Sequence, residues 1–115
     1  MRVVEVDRLV PERGAAVLVD GRQVALFRVD VDGVDTVFAV SHHDPFSGAN
    51  VMARGIVGSS GDRVTVASPM YKQVFDLATG ACLTEPEVRL PVWRTWIEEG
   101  HVHVDPEPVL TEVAM

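Results

Sequence analysis

The dipeptide Asp20-Gly21 lies between two short apolar runs, Ala15–Val19 and Gln23–Val29. Asp and Gly both tolerate positive φ, so the pair suits the type I′ turn that joins two antiparallel strands. This constrains the chain more than any other local feature, because similar punctuation recurs along it. Arg2–Val6 is a first β-like run, broken by Pro11–Gly14. Val31-Asp32-Gly33 turns the chain into Thr36–Val40. Met52–Val57 is ambiguous, although Gly55 argues against a helix. Gly58-Ser59-Ser60-Gly61 reads as a turn before the run Arg63–Ala67. Lys72–Leu77 reads as a strand and Ala81–Glu87 as a loop. Pro91–Glu98 and His101–Val104 form a last hairpin around Glu99-Gly100. Short, numerous strands with turn residues between them predict an all-β fold, a small antiparallel sandwich or barrel. No internal repeat, Gly-rich phosphate loop or amphipathic helix appears.

The chain has 115 residues, enough for one core and too few for two. Apolar residues make up 47%, which fits a folded domain. Seventeen acids against ten bases give a net charge of −7. That balance, without a basic cluster, excludes a nucleic-acid binder of the usual electrostatic kind. No apolar run is long enough for a membrane span, and the acids in the N-terminal segment are unlike a signal peptide. The expected location is the cytoplasm. Cys82 is the single cysteine, so no internal disulfide forms, in keeping with a reducing compartment. The tail from Asp105 is acidic and holds two prolines. It is expected to be a flexible segment over 105–115, after a domain spanning 1–104.

Two loops, Ser41–Val51 and Ala67–Gly80, are dense in Pro, Gly, Ser and Asx and follow β-like runs. Loops held by rigid strands are where binding residues concentrate. Around them, Lys72, Gln73 and Arg54 read either as solvated side chains or as a recognition surface. His42 and His43 are neighbours, which on extended chain point to opposite sides and do not grip one ion. His101 and His103 share a strand face, but no third donor is evident. Ser68 lacks a nucleophile-elbow context, and Ser47 beside His43 and Asp44 is not a triad, which needs spatial convergence. Cys82 reads as a small, half-buried apolar residue. Catalytic residues are therefore expected to be none. Along Val92–Glu98, Trp93, Thr95 and Ile97 share one face, read as core; Trp96 shares the other with Arg94 and Glu98. Trp96 is either a partner contact or the cover of a sheet edge.

The paired loops, with "SP" and "FDLATG" in the second, resemble the cluster-holding tip of Rieske iron–sulfur domains. There, a Cys-x-His and a Cys-x-x-His hold a 2Fe–2S centre. The resemblance places Asp44 and Phe46 at the first ligand pair and Ser68 and Tyr71 at the second. All four are degenerate ligand positions, so no metal and no cofactor is expected in this chain. Phe46 and Tyr71 read as an apolar plug where the cluster sat, or Phe46 simply as core. The segments DPFSGA (Asp44–Ala49), RGIVG (Arg54–Gly58) and SPxxKQxFxLxxGxCL (Ser68–Leu83) closely resemble the small subunit of NAD(P)H-dependent, siroheme-containing nitrite reductase. That resemblance covers about Val3 to Val104. It implies a Rieske-like β fold without a cluster, non-catalytic by itself. It also implies a large-subunit partner carrying FAD, a 4Fe–4S cluster and siroheme, which reduces nitrite to ammonium in nitrate assimilation. The expected partner-binding residues are Asp44, Pro45, Arg54, Lys72, Gln73 and Trp96. The alternative is an autonomous β-domain, a binding or regulatory module derived from a Rieske ferredoxin.

Overall fold

The computed structural model describes residues 1–70 and 72–109. Nine strands follow one another among the described residues: β1 (Arg2–Glu5), β2 (Gly14–Val19), β3 (Arg22–Val31), β4 (Val34–Ser41), β5 (Ile56–Ser60), β6 (Arg63–Ala67), β7 (Val74–Asp76), β8 (Val92–Glu98) and β9 (His101–Pro108). Two short 3₁₀ turns, Val6–Arg8 and Met52–Arg54, are the only helical pieces among the described residues. None is long and apolar enough to cross a membrane. The strands form an antiparallel six-stranded sheet, ordered β1-β9-β8-β4-β3-β2, and an antiparallel three-stranded sheet, β5-β6-β7. The all-β expectation holds.

Local turn chemistry sets the hairpins. Asp20-Gly21 has φ of 49° and 79°, Asp32-Gly33 51° and 84°, and Glu99-Gly100 52° and 75°. Both central residues of each pair are positive, as a type I′ turn requires. Each turn closes a pair in register: Val19↔Arg22, Val31↔Val34 and Glu98↔His101. The turn expected over Gly58–Gly61 sits later. Gly58–Ser60 belong to β5, and the chain reverses at Gly61-Asp62 between paired Ser60 and Arg63. Met52–Val57 resolves into a 3₁₀ turn followed by the start of β5.

Strand β3 explains how the sheets pack. Val24 and Leu26 point into one core with Val37, Ala39, Trp93, Val102 and Val104. Ala25, Phe27 and Val29 point into a second core with Met52, Val66, Phe75 and Leu77. A strand covered on both faces must be apolar continuously rather than alternately, which is why Val24–Phe27 shows no polar residue. The second core joins the three-stranded sheet to the six-stranded one, so both loops of the tip grow from an anchored base.

Two boundaries and one burial depart from expectation. Lys72–Leu77 is not one strand: Lys72 sits at φ 59° and pairing starts at Val74. Ile97 shares its face with Val102 across the sheet but is 39% exposed, because β8 pairs with β4 only at Val92 and Trp93 and a groove opens between the two strands beside Ile97. The sheet also continues past the boundary expected at 104. Asp105–Pro108 complete β9, Pro108 pairs with Trp93, and Val109 N–H donates to Val92 O at 2.7 Å. Residues 110–115 of the expected tail lie outside the described residues.

Candidate functional site

The tip is built from the loop after β4 and the loop after β6. In the first, Asp44 N–H donates to Ala49 O at 2.9 Å and Gly48 N–H to Asp44 O at 2.8 Å, closing the loop on itself. Gly48 takes φ 75°, where its lack of a Cβ avoids strain. Asp44 Oδ1 accepts the Phe46 N–H at 2.9 Å, an Asx turn that fixes the Phe46 backbone. In the second loop, Ser68 N–H donates to Gln73 O at 2.9 Å and Lys72 N–H to Ser68 O at 3.0 Å.

One contact joins the loops. The Ser68 hydroxyl donates to Asp44 Oδ2 at 2.5 Å, and both residues are buried. Burial alone pushes the Asp44 carboxyl up; hydrogen bonds from Ser68, the Phe46 N–H and Ser47 together take it below its ordinary value. Beside this clasp, the half-buried Phe46 ring lies 6.0 Å from fully buried Phe75, tilted by 49°. Phe46 therefore packs onto the second core from the tip side. Tyr71, the fourth aligned position, lies outside the described residues.

These side chains do not fit a Rieske 2Fe–2S centre. Such a centre takes thiolate and imidazole donors. Here the Asp44 carboxylate is committed to Ser68 and the Phe46 N–H, and the Phe46 ring has no donor atom. Cys82 is buried below, with Sγ 3.9 Å from Gln73 Oε1 and 3.5 Å from Thr84 Oγ1. Among the described residues, no three His, Cys, Asp or Glu side chains converge on a point that would hold a metal.

The expected partner contacts separate. Asp44 is corrected: a buried carboxylate, spent on the clasp, has no surface to offer a partner. Pro45 and Lys72 are exposed at the tip, and Met70 beside them is 52% exposed. Gln73 is half-buried, and its Oε1 accepts the Thr84 hydroxyl at 3.2 Å, which ties the end of the tip loop before β7 to the loop after it. Arg54 is exposed away from the clasp, in a cleft of ≈ 440 Å³ lined by Glu12–Gly14 and Ala53–Val57. Trp96 is 45% exposed on the far sheet and stacks on His103, with centroids 5.5 Å apart and planes at 10°.

His42 is the functional-looking residue whose task is local architecture. It is buried, and its Nδ1 accepts the Ala53 N–H at 3.1 Å, holding the start of the Met52–Arg54 turn. An accepting Nδ1 requires a neutral ring. Burial first, then the Arg54 charge, holds its pKa below the ordinary imidazole value. Nothing near His42 in sequence signals a bond to a residue eleven positions on. Because the folded state takes up this proton less readily than the unfolded chain, the His42 contribution is complete above about pH 6.5 and falls as pH drops through and below that value. Urea midpoints at pH 7.5 and 5.5 are expected to differ more for the wild type than for His42→Gln.

Similarity to known proteins decides the family. Residues 1–105 match the Rieske-like [2Fe-2S] domain. The chain belongs to that family. The Rieske-like domain here is 32% identical over 102 residues to the nitrite reductase (NADH) small subunit of Escherichia coli K12, covering 89% of this chain and 93% of that protein. A crystal structure described as an NADH-dependent nitrite reductase small subunit from Mycobacterium tuberculosis superposes with a TM-score of 0.85 at 46% identity, covering 97% and 96% of the two chains. A further match lies inside a longer protein. Over 108 residues, 94% of this chain is 32% identical to a stretch making up 11% of the Klebsiella oxytoca nitrite reductase [NAD(P)H] large subunit.

Proposed function

We propose that this chain is the small subunit of an NAD(P)H-dependent nitrite reductase, working by association with a large subunit and holding no active site of its own. The observation that carries the reading is the Klebsiella match. A counterpart of this whole domain is built into a polypeptide named as the large subunit. Fusion suits two domains that work together, because a domain tethered in cis meets its partner at a far higher effective concentration than a free one. The tip chemistry supports a docking role over electron carriage, since its side chains bond to each other rather than offering thiolate or imidazole ligands.

In this reading, FAD, a 4Fe–4S cluster and siroheme belong to the large subunit. Nitrite is reduced to ammonium there, in the cytoplasm, as part of nitrate assimilation. Pro45 and Lys72 are exposed at the tip beside Met70 and contribute to docking, while Trp96 presents a second surface. The test is co-purification of the two chains, with nitrite-dependent NADH oxidation measured with and without this one. Association and a gain in turnover are expected. Lys72→Glu is expected to keep the fold and to weaken association mainly through the encounter rate, more so at low salt. A large subunit with full turnover and no affinity for this chain would remove the reading.

A further inference from the structure

The geometry points to the free edge of β5 as the seat of an extended segment of the partner, held by Arg13 and Arg54 through an acidic side chain. This inference rests on the reading that the partner is the large subunit.

The hydrogen-bond register identifies the free groups. Val64 O accepts the Leu77 N–H at 2.9 Å, so the Val64 backbone faces the β7 side. Its partner across the hairpin is Ser59. In an antiparallel ladder, alternate residues turn their N–H and C=O away from the neighbour. Ser59, and by the same alternation Val57, therefore turn both groups outward. β5 pairs only with β6, and no other backbone group among the described residues meets Val57 or Ser59.

An open edge is normally shielded by charge, proline or a covering segment. β1 carries Arg2 and Glu5. β7 is met by Cys82 through a bridge to Phe75. β2 is uncharged, but its start is covered: a Cβ at Gly14 would lie 2.1 Å from Ala53 O. β5 reads Ile-Val-Gly-Ser-Ser, with neither charge nor proline, and nothing covers it among the described residues. Ile56 is 74% exposed at its first position, the most exposed large apolar side chain described.

The occupant's chemistry follows from the cleft at the start of this edge. Arg13 and Arg54 both line it, with Glu12, leaving one net positive charge in a chain of net −7. Neither arginine forms an ion pair among the described residues, whereas Arg28 and Arg63 do. Backbone groups, an apolar side chain and two free guanidinium groups together match an extended strand with an apolar residue for Ile56 and a carboxylate for the arginines.

Hydrogen exchange on this chain, free and bound to the cofactor-loaded large subunit, tests the assignment. The Val57 and Ser59 amides are expected to exchange quickly in the free chain and at least about tenfold more slowly in the complex. Ser59→Pro deletes one outward N–H without removing a ladder bond, a place where edge strands tolerate proline. It is expected to weaken binding about tenfold or more with an unchanged melting temperature. The pair Arg13→Glu and Arg54→Glu is expected to weaken it further and to flatten its salt dependence. A stable complex in which Val57 and Ser59 stay unprotected overturns the inference and leaves the small-subunit reading intact. Loss of all binding by the wild-type chain overturns that reading instead. If Ser59→Pro does not fold, the exchange comparison on the wild type still decides.

Discussion

Phe75→Ala should lower stability by about 3–5 kcal/mol, the usual cost of truncating a fully buried aromatic side chain. Phe75 is 0% exposed, sits in the core that joins the two sheets, and carries the Phe46 ring on its tip side. Its removal empties the space under both loops at once. Phe46→Ala should cost less, because Phe46 is only half-buried and loses less apolar area. The double variant should be less destabilised than the sum, since the second truncation removes a ring whose partner has already gone. Urea unfolding of the four proteins measures all three quantities. For a domain of this size a loss of that order is a large part of the total. A Phe75→Ala penalty below about 1 kcal/mol would mean that the cavity collapses or that the sheets do not depend on this contact.

Phe75 also illustrates what a sequence can carry. Its motif position was legible, and so were the hairpins at Asp20-Gly21, Asp32-Gly33 and Glu99-Gly100. Those turns depend on two adjacent residues that tolerate positive φ, so the information is local. The end of β9 was not legible. Pro106 and Pro108 read as breakers, yet on the β1 side the backbone contacts of β9 end at Val104, whose N–H donates to Met1 O at 2.8 Å. Beyond that residue one side of β9 is an edge, where a missing N–H costs no ladder bond. Register that depends on how far a distant strand reaches is invisible in a local pattern. Ile97 was misplaced for a related reason: alternation gives its face correctly, but only the strand pairing shows that β4 has parted from β8 there and leaves its flank open. At the tip, aligned positions brought Asp44 and Ser68 to one place, but the bond between them is a fact about two side chains 24 residues apart. That bond turned Asp44 from a surface candidate into an interior one.

Asp44→Ala should therefore destabilise the domain by about 2–4 kcal/mol, although the residue is polar and lies in a loop. The substitution leaves the buried Ser68 hydroxyl and the Phe46 N–H without their acceptor, and each such orphan costs about 1–3 kcal/mol. Ser68→Ala should cost less, because Asp44 then keeps the Phe46 N–H and the Ser47 contacts. The coupling energy from the cycle of single and double variants should be about 1.5–3 kcal/mol, the range for hydrogen bonds to a charged group. Acid adds a second, independent readout. The folded Asp44 carboxyl titrates below its unfolded value, so the folded state binds this proton less readily. Its contribution is fully present above about pH 4, the unfolded aspartate value, and is lost as pH falls through the lower folded value. Asp44→Asn keeps the shape and one acceptor oxygen but cannot titrate. Its stability should therefore fall less steeply than the wild type's between pH 5 and 3, with the two curves converging at the acid end. Parallel curves, together with a coupling energy near zero, would mean that the loops are held in place by Phe46 packing alone and that the clasp contributes nothing measurable.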